Sequence, residues 1–444
     1  MAITRRLGDD VIALTANGPV RVNEFLEQAS GLAAALPPRD YVINLAGDRL
    51  AFLLGFCAAV IAGQCTLMPP NRQPETIRRL AEAYPRSYVL GDEAIDGVES
   101  VCFGSLDRSR KRGHEPFVAD DQLCAIVFTS GSTGQSSPNR KYWRTLAGGT
   151  AANIDLLLDG SNERLNVVAT VPPQHMWGFE MSVLLPLFSN VAISQATPFF
   201  PGDIFDAINS VARPRALVSS PVHLSAFLDA DPGDVEIDSI YTATAPLSDE
   251  LAERLAKRYD ANVIDVFGCS ESGIIAARRP AADEHWLLAS PFTLESTSSG
   301  TLIRAGHLDE AVPLNDRLEL LGDRNFRWIG RNEDMINIAG KRGSLAEMNH
   351  YLNALDGVDD GIVFQPGEDA KRLAALVVAP THTPSDILER LRPSVEPAFL
   401  PRPVYLVDSL PRQETGKLSK SAVLELFTTI ARERRPGNDD GDDD

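Results

Sequence analysis

Four groups of residues in this chain are of types that handle polyphosphates. The first is Phe128-Thr129-Ser130-Gly131-Ser132-Thr133-Gly134-Gln135, which follows the apolar run Leu123 to Phe128. That pattern predicts a buried strand breaking into a loop. Glycine takes backbone angles that other residues resist and lets a ligand come close. Successive N–H groups in such a loop form an anion-binding nest, and Ser and Thr hydroxyls add donors. A polar turn with no ligand has the same composition. The stretch is not a Walker A loop, since no Gly-Lys-Ser/Thr follows, nor a Gly-x-Gly-x-x-Gly fingerprint. The second is Glu271, which closes the small-residue turn Phe267-Gly268-Cys269-Ser270-Glu271-Ser272-Gly273, where a carboxylate can hold Mg²⁺ against phosphate oxygens. The third, Asp316, precedes a candidate strand and can accept bonds from a ribose diol. The fourth, Lys417, follows Thr415-Gly416 and offers positive charge to a transferring phosphoryl group. Taken singly, the last three are better read as a solvated acid, a turn aspartate and an exposed lysine.

The elements that must position these residues alternate helix and strand. Residues Val22 to Leu36, Leu50 to Ala62 and Gln73 to Ala83 have helical apolar spacing, while Tyr41 to Leu45, Thr66 to Pro69 and Tyr88 to Leu90 read as extended. Such alternation predicts an α/β architecture with mostly parallel strands. A basic surface loop is expected from Ser105 to Glu115, and a helix from Lys141 through Leu158. Further strands are expected at Asn166 to Val171, Val191 to Ser194, Ala216 to Ser219 and Asn262 to Phe267. A helix over Asp249 to Tyr259 is capped by Ser248, with Asp249 and Glu250 in its first turn. After Pro291 the pattern turns to β. A smaller unit of helices and strands then runs from Ser344 through Val407. The sequence thus predicts an α/β protein with a large multi-sheet N-terminal domain over 1–330. A hinge at 331–334, a smaller mobile α+β C-terminal domain over 335–432 and an acidic disordered tail at 433–444 complete it.

Composition narrows the function classes. At 444 residues the chain is too long for one core. A formal net charge of −19 argues against nucleic acid as a main partner. The five cysteines contain no Cys-x-x-Cys pair, which fits a reducing cytoplasm without a disulfide framework or structural zinc. No apolar core follows Met1-Ala2-Ile3-Thr4-Arg5-Arg6, so no secretory signal is expected. The run Leu50 to Ala62 falls short of the roughly 20 residues that span a bilayer.

Five stretches, in order, resemble motifs of the AMP-forming adenylating superfamily, which includes acyl- and aryl-CoA synthetases, peptide-synthetase adenylation domains and beetle luciferases. They are Thr129 to Gly134, Ala245-Pro246-Leu247, Phe267-Gly268-Cys269-Ser270-Glu271, the pair Asp316 and Arg331, and Leu410-Pro411-Arg412 through Gly416-Lys417. The resemblance implies ATP-dependent activation of a carboxylic acid to an acyl-adenylate with release of pyrophosphate. Transfer to a pantetheine thiol, of CoA or an acyl carrier protein, then follows. It implies that Thr129, Ser130, Gly131, Ser132, Thr133 and Gly134 hold the β- and γ-phosphates, and that Phe267 stacks on adenine near Asp265 and Ala245. Ser270 would touch the α-phosphate, Glu271 the Mg²⁺, and Asp316 and Arg331 the ribose, while Lys417 bridges carboxylate and α-phosphate. For the thiol step it implies a hinge at Glu333, with Gly340 and Arg342 brought to the site.

One departure stands out. Where the family's phosphate loop continues x-Pro-Lys-Gly, this chain has Gln135-Ser136-Ser137-Pro138-Asn139-Arg140-Lys141-Tyr142-Trp143. Ser137 holds the usual lysine position, so Lys141 or Arg140 substitutes, or the lysine is dispensable. The acid pocket is implied by Pro172-Pro173-Gln174-His175-Met176-Trp177-Gly178, similar to the family's Pro-x-x-His-x-x-Gly segment. It places His175, Trp177 and Gly178, with Thr244 and Cys269, near the substrate. No aspartate follows His175 to hold an ammonium, which implies an acid without an α-amino group. The Pro138 to Trp143 loop, with Ala339 to Ala346, resembles the compact ligases of aryl polyene (xanthomonadin-type) pigment clusters, implying a hydroxybenzoate- or hydroxycinnamate-like substrate. A fatty acyl-CoA or acyl-carrier-protein ligase is the rival enzyme, and a non-catalytic nucleotide-binding scaffold the rival of another class.

Overall fold

The computed structural model describes residues 1–106, 116–129, 137–158, 163–297, 300–331, 335–338, 341–367, 370, 372–413 and 418–433. The chain folds into two compact units. The first comprises Met1–Glu295, Leu302–Val312 and Leu320–Phe326; the second comprises Ser296–Thr301, Pro313–Glu319 and the chain from Arg327 onward. Asp316, read from the sequence as part of a continuous 1–330 domain, therefore lies in the second unit.

The first unit is built on two sheets. Its strands are β1 Val11–Thr15, β2 Gly18–Arg21, β3 Tyr41–Leu45, β4 Cys65–Met68, β5 Ser87–Gly91, β6 Ser100–Cys102, β7 Leu123–Thr129 and β8 Ser137–Tyr142. They continue with β9 Leu165–Ala169, β10 Val191–Ser194, β11 Arg215–Ser219, β12 Ser239–Thr242, β13 Asn262–Cys269, β14 Gly273–Arg278 and β15 Trp286–Leu288. One sheet has the order β6-β5-β3-β4-β7-β8, parallel except for the β7–β8 pair. In the other, β13-β12-β11-β9-β10-β1 run parallel, flanked by antiparallel β14 and β15 on one side and β2 on the other. The parallel strands are near-continuous apolar runs because both faces are covered.

Between the sheets lies the helix Arg49–Ile61. It packs on β3 and β4 of one sheet and β10 of the other and is buried on almost every residue. It is apolar all round for that reason, and each buried Leu or Phe contributes roughly 1.5–3 kcal/mol. Asp48 caps it, accepting from the Ala51 N–H at 2.7 Å. Its single charge, Arg49, is 1% exposed and donates to the Ala169 carbonyl, to Ser182 Oγ at 3.2 Å and to the Ala196 carbonyl at 3.3 Å. Burial pushes its guanidinium down to about 9. This network fixes the end of β9, where the chain turns into Pro172–Gly178.

The second unit has its own sheet. Asp360–Phe364 pairs antiparallel with Ala374–Val378, which pairs parallel with Val404–Leu406. Alternation along it is strict: Val363, Ala375 and Val377 join one core, and Phe364, Ala374 and Leu376 join another. The helix Pro384–Leu391 contributes Ile387 and Leu391 to the first core, and Lys420–Glu433 contributes Val423 to the second. A hairpin of Met335–Ile338 and Lys341–Ser344 pairs Asn337 with Arg342.

One sequence expectation is corrected. The helix expected from Lys141 starts at Trp143, and Ser137–Tyr142 is instead a strand paired antiparallel with β7, Thr129 opposite Ser137 and Ala125 opposite Lys141. The chain doubles back on β7, and period-2 alternation then turns Lys141 inward and leaves Arg140 exposed. The helices Pro201–Asn209 and Pro221–Ala230, each opened by a proline at its first position, were not read from the sequence. No helix among the described residues is long and apolar enough to cross a membrane.

Candidate active site

The candidate residues of the first unit gather where parallel strands end. In an open α/β sheet the carboxyl ends of the strands form the ligand crevice, because the loops there diverge. From β7 the chain enters Ser130, Gly131, Ser132, Thr133 and Gly134, which lie outside the described residues, and returns as β8. Of Thr129 only the backbone is described, as the last residue of β7 opposite Ser137. The loops after β9, β12 and β13 carry the other candidates.

After β12 come Thr244 and Ala245, both half-buried. Thr244 has φ +83°, a left-handed conformation that a β-branched residue adopts only when its surroundings hold it there. Asp265 on β13 pairs with Thr242 in the sheet. It is 3% exposed, and its Oδ2 accepts from Arg278 Nε at 3.0 Å. Burial pushes its carboxyl up to about 7 despite the Arg278 charge. Asp265 is thus committed to Arg278, which also donates to the Leu247 carbonyl of the β12 loop at 3.3 Å. Phe267 is half-buried within an aromatic group, 5.5 Å from Trp286 and 5.7 Å from Phe326, so its ring orientation is set by packing.

The turn Ser270–Ser272 joins β13 to β14. A Cβ at Gly268 would meet the Gly273 carbonyl oxygen at 2.4 Å, so the close crossing of the hairpin requires glycine. Ser270 is half-buried and Glu271 exposed. Cys269 Sγ lies 3.1 Å from Ser272 Oγ, and burial, reinforced by Glu271, pushes the thiol up to about 11. It remains a thiol rather than a nucleophilic thiolate.

Lys141 crosses from β8 to this turn. It is 1% exposed, and its amine donates to the Glu271 carbonyl at 2.6 Å. Burial lowers its pKa, opposed by Glu180, Cys269 and Glu271. Glu180 is 6% exposed, and its Oε1 accepts from the Ile274 N–H at 2.9 Å and Asn153 Nδ2 at 3.1 Å. Burial pushes its carboxyl up to about 7. Sequence reasoning missed Glu180; the available signal was a lone acid inside the apolar run Trp177 to Phe188.

His175 precedes the short helix Met176–Phe179, which runs on through a π-helical turn, Glu180–Leu184, a feature that concentrates at functional sites. His175 is half-buried, and Trp177 is 7% exposed with its indole N–H on the Ser219 carbonyl at 3.1 Å. At Gly178 a Cβ would meet the Pro172 carbonyl oxygen at 2.1 Å, which is the physical reason for the Pro-to-Gly spacing.

In the second unit, Asp316 begins the strand Asp316–Leu320 and its Oδ1 accepts from the Trp328 indole N–H at 2.8 Å. Arg331 ends Asn325–Arg331, and of it, as of Arg342, only the backbone is described. Arg412 and Leu418 pair in an antiparallel bridge on either side of the Lys417 segment, and Arg412 is held by Asp360 at 2.6 and 2.8 Å. Lys417, Glu333 and Gly340 lie outside the described residues.

Comparison with known proteins shows the family and the fold. A family model described as AMP-binding enzyme matches residues 29–291. A 4-coumarate–CoA ligase of Halorhodospira halophila is 29% identical over 315 residues, covering 68% of this chain and 76% of the relative. A 3,4-dihydroxybenzoate–[aryl-carrier protein] ligase of Bacillus anthracis is 24% identical over 323 residues, covering 68% and 73%. The ATP-bound crystal structure of MatB from Rhodopseudomonas palustris superposes with a TM-score of 0.82 at 18% identity, covering 97% of this chain and all of that one, a likeness of fold.

Proposed function

The chain belongs to the AMP-binding enzyme family and is an AMP-forming acid–thiol ligase, and we propose that the acid it activates is aromatic and the acceptor a pantetheine thiol of CoA or a carrier protein. The observation that carries the site assignment is the bond from Lys141 to the Glu271 carbonyl, 130 positions away in the chain. It ties the strand leaving the phosphate-loop segment to the turn proposed to hold the metal, as adenylation needs.

In the first step the acid's carboxylate oxygen attacks the α-phosphorus of ATP. The bond to pyrophosphate breaks, and a mixed acyl–AMP anhydride forms. Because pyrophosphate is a competent leaving group, positioning and charge stabilisation do most of the work. Thr129 to Gly134 are proposed to hold the β- and γ-phosphates, and Ser270, beside Glu271 in the β13–β14 turn, to donate to the α-phosphate. Phe267 stacks on adenine and Ala245 borders it, while Asp265 acts as a positioning residue that fixes the β12 loop through Arg278. Asp316 and Arg331 take the ribose hydroxyls, and Lys417 bridges the carboxylate and the α-phosphate.

One exposed carboxylate in a turn of small residues suits Mg²⁺, which keeps several waters and takes few protein ligands. Among the described residues no group of three His, Cys, Asp or Glu forms an all-protein cage. Glu271 would hold the ion, which when bound neutralises phosphate charge. In the second step the thiol sulfur attacks the anhydride carbonyl, AMP departs with the bonding electrons, and the thiol proton is released. Glu333 is the proposed hinge, with Gly340 and Arg342 serving this step.

Aromatic specificity is supported by the modest size of Thr244 and Cys269 and by the acids for which the two relatives above are named. The likeness to aryl polyene pigment ligases makes 4-hydroxybenzoate and 4-hydroxycinnamate the first acids to try. Five cysteines with no disulfide accord with a cytoplasmic reaction. An ATP–pyrophosphate exchange panel of aromatic and aliphatic acids tests the reading, with exchange expected for the aromatic set. Exchange confined to fatty acids would move the assignment to a linear-acyl ligase. ATP binding without AMP release for every acid would move it to a scaffold.

A further inference from the structure

Two buried charges of the first unit face one small cavity. Lys141 and Glu180 line it with Thr145, Thr150, Met176 and Ser272, and its volume is ≈ 10 Å³, about the room that one water-sized group occupies. Of the three N–H donors of the Lys141 ammonium, one is used on the Glu271 carbonyl, and no second partner occurs among the described residues. Glu180 spends Oε1 on Asn153 and Ile274, while Oε2 has no hydrogen bond among the described residues. The hydroxyls on the wall are engaged with carbonyls: Thr145 with His307 at 3.1 Å, Thr150 with Leu146 at 2.7 Å and Ser272 with Gly273 at 3.2 Å.

A buried donor and a buried acceptor left in one cavity define their occupant, because each costs free energy until it is paired. The occupant must accept from an ammonium and donate to a carboxylate within the room of a single small group. A water does both, and so does the hydroxyl of an acid that displaces it. A methyl or halogen cannot donate, and a second carboxylate would be repelled by Glu180. The cavity's place in the site is equally specific. Met176 on its wall lies between His175 and Trp177 of the acid segment, and Ser272 follows Glu271 of the adenylating turn.

We propose that Lys141 and Glu180 form the distal end of the acid pocket and select acids bearing a hydroxyl, whose oxygen accepts from Lys141 and whose proton is donated to Glu180. The cavity has room for the substituent and not for the ring. This rests on the aromatic-acid reading above and adds to it the two residues that recognise the hydroxyl.

The test is ATP–pyrophosphate exchange by the full chain with matched acids, 4-hydroxybenzoate against benzoate and 4-hydroxycinnamate against cinnamate. The native protein is expected to favour the hydroxylated member in kcat/KM by about 10–100-fold, the scale on which a site built for a hydroxyl rejects its absence. In Lys141→Met and Glu180→Gln the preference is expected to fall to about threefold or less, whatever the absolute rate. Using the ratio within each variant removes any general loss through the Glu271 turn, and Glu180→Gln carries the test if Lys141→Met does not fold. A pair that serves only to hold the fold would lower both acids equally and preserve the ratio, which overturns the proposal, as does a native preference near unity. Absence of exchange with every aromatic acid is a different failure, that of the aromatic reading itself.

Discussion

A carboxyl group buried among Asn153, the Ile274 N–H and a lysine that does not touch it gives up its proton near neutral pH rather than in the ordinary carboxylate range, and this makes Glu180 a measurable reporter of its surroundings. Its folded pKa is raised from the ordinary 4.5 to about 7, burial being the largest cause, with Ile274, Asn153 and Lys141 opposing. Between those values the folded chain keeps a proton that the unfolded chain releases. The stabilisation linked to that proton is therefore fully present below about pH 4.5 and is lost as pH rises to about 7, the reverse of an ion-paired surface carboxylate. Glu180→Gln, which imitates the neutral form, lacks this loss. Relative to the native protein it should gain roughly 1–3 kcal/mol of stability between about pH 5 and pH 8, since each tenfold change in proton affinity is worth about 1.4 kcal/mol. Denaturation curves of both proteins across that range check it. Curves that run parallel would show that Glu180 is ionised throughout.

At the scale of elements, the decisive feature is how closely segments approach at the strand ends. The helix Met176–Phe179 packs so tightly on Pro172 that Gly178→Ala would place a methyl on the Pro172 carbonyl, 2.1 Å from its oxygen and 2.7 Å from its carbon. Backbone atoms on both sides leave no flexible side chain to give way, so the helix must shift. Overpacking of this kind costs roughly 1–3 kcal/mol. Because the shifted helix carries Trp177 and directly follows His175, KM for the acid should rise several-fold while KM for ATP stays near its native value. Steady-state kinetics with each substrate varied in turn separate the two, and a rise in both alike would place Gly178 in general stability alone. The same elements explain what could be read in advance. The Pro172-to-Gly178 spacing was legible because a backbone contact demands one residue type at one position. Most of the parallel strands were legible because burial on both faces makes them continuous apolar runs. The β8 strand was not, since Pro138-Asn139-Arg140-Lys141 has little β propensity and is held extended by pairing with β7. The role of Glu180 depends on partners at 153 and 274, which no local pattern reveals. The resemblance implies a place for Asp265 near the adenine, whereas its commitment to Arg278 comes from pairing across the β13–β14 hairpin and has no local signal.

At the scale of the whole molecule, two separate cores allow two chemical demands to be met by different parts of the chain. Adenylation gathers negative charge at the α-phosphate as the carboxylate arrives, so it gains most from a cation placed there only in that step. Thioester formation gathers charge on the anhydride carbonyl and releases AMP, and a lysine fixed at the phosphate would then occupy ground the thiol needs. The proposed division gives the first task to Lys417, which lies in the chain between Arg412 and Leu418, the former bridged to Leu418 and ion-paired with Asp360, and the second to Gly340 and Arg342. Removing Lys417 should therefore damage one half-reaction and not the other. Lys417→Ala is expected to lower ATP–pyrophosphate exchange by about 10²–10³-fold, the usual loss for one charge-stabilising donor. Transfer from a synthetic acyl-adenylate to CoA should stay within a few-fold of native. The two rates are measured on the same preparation, so a folding defect would appear in both. Equal loss of the two steps would refute the division and return Lys417 to a general role in holding the second unit together.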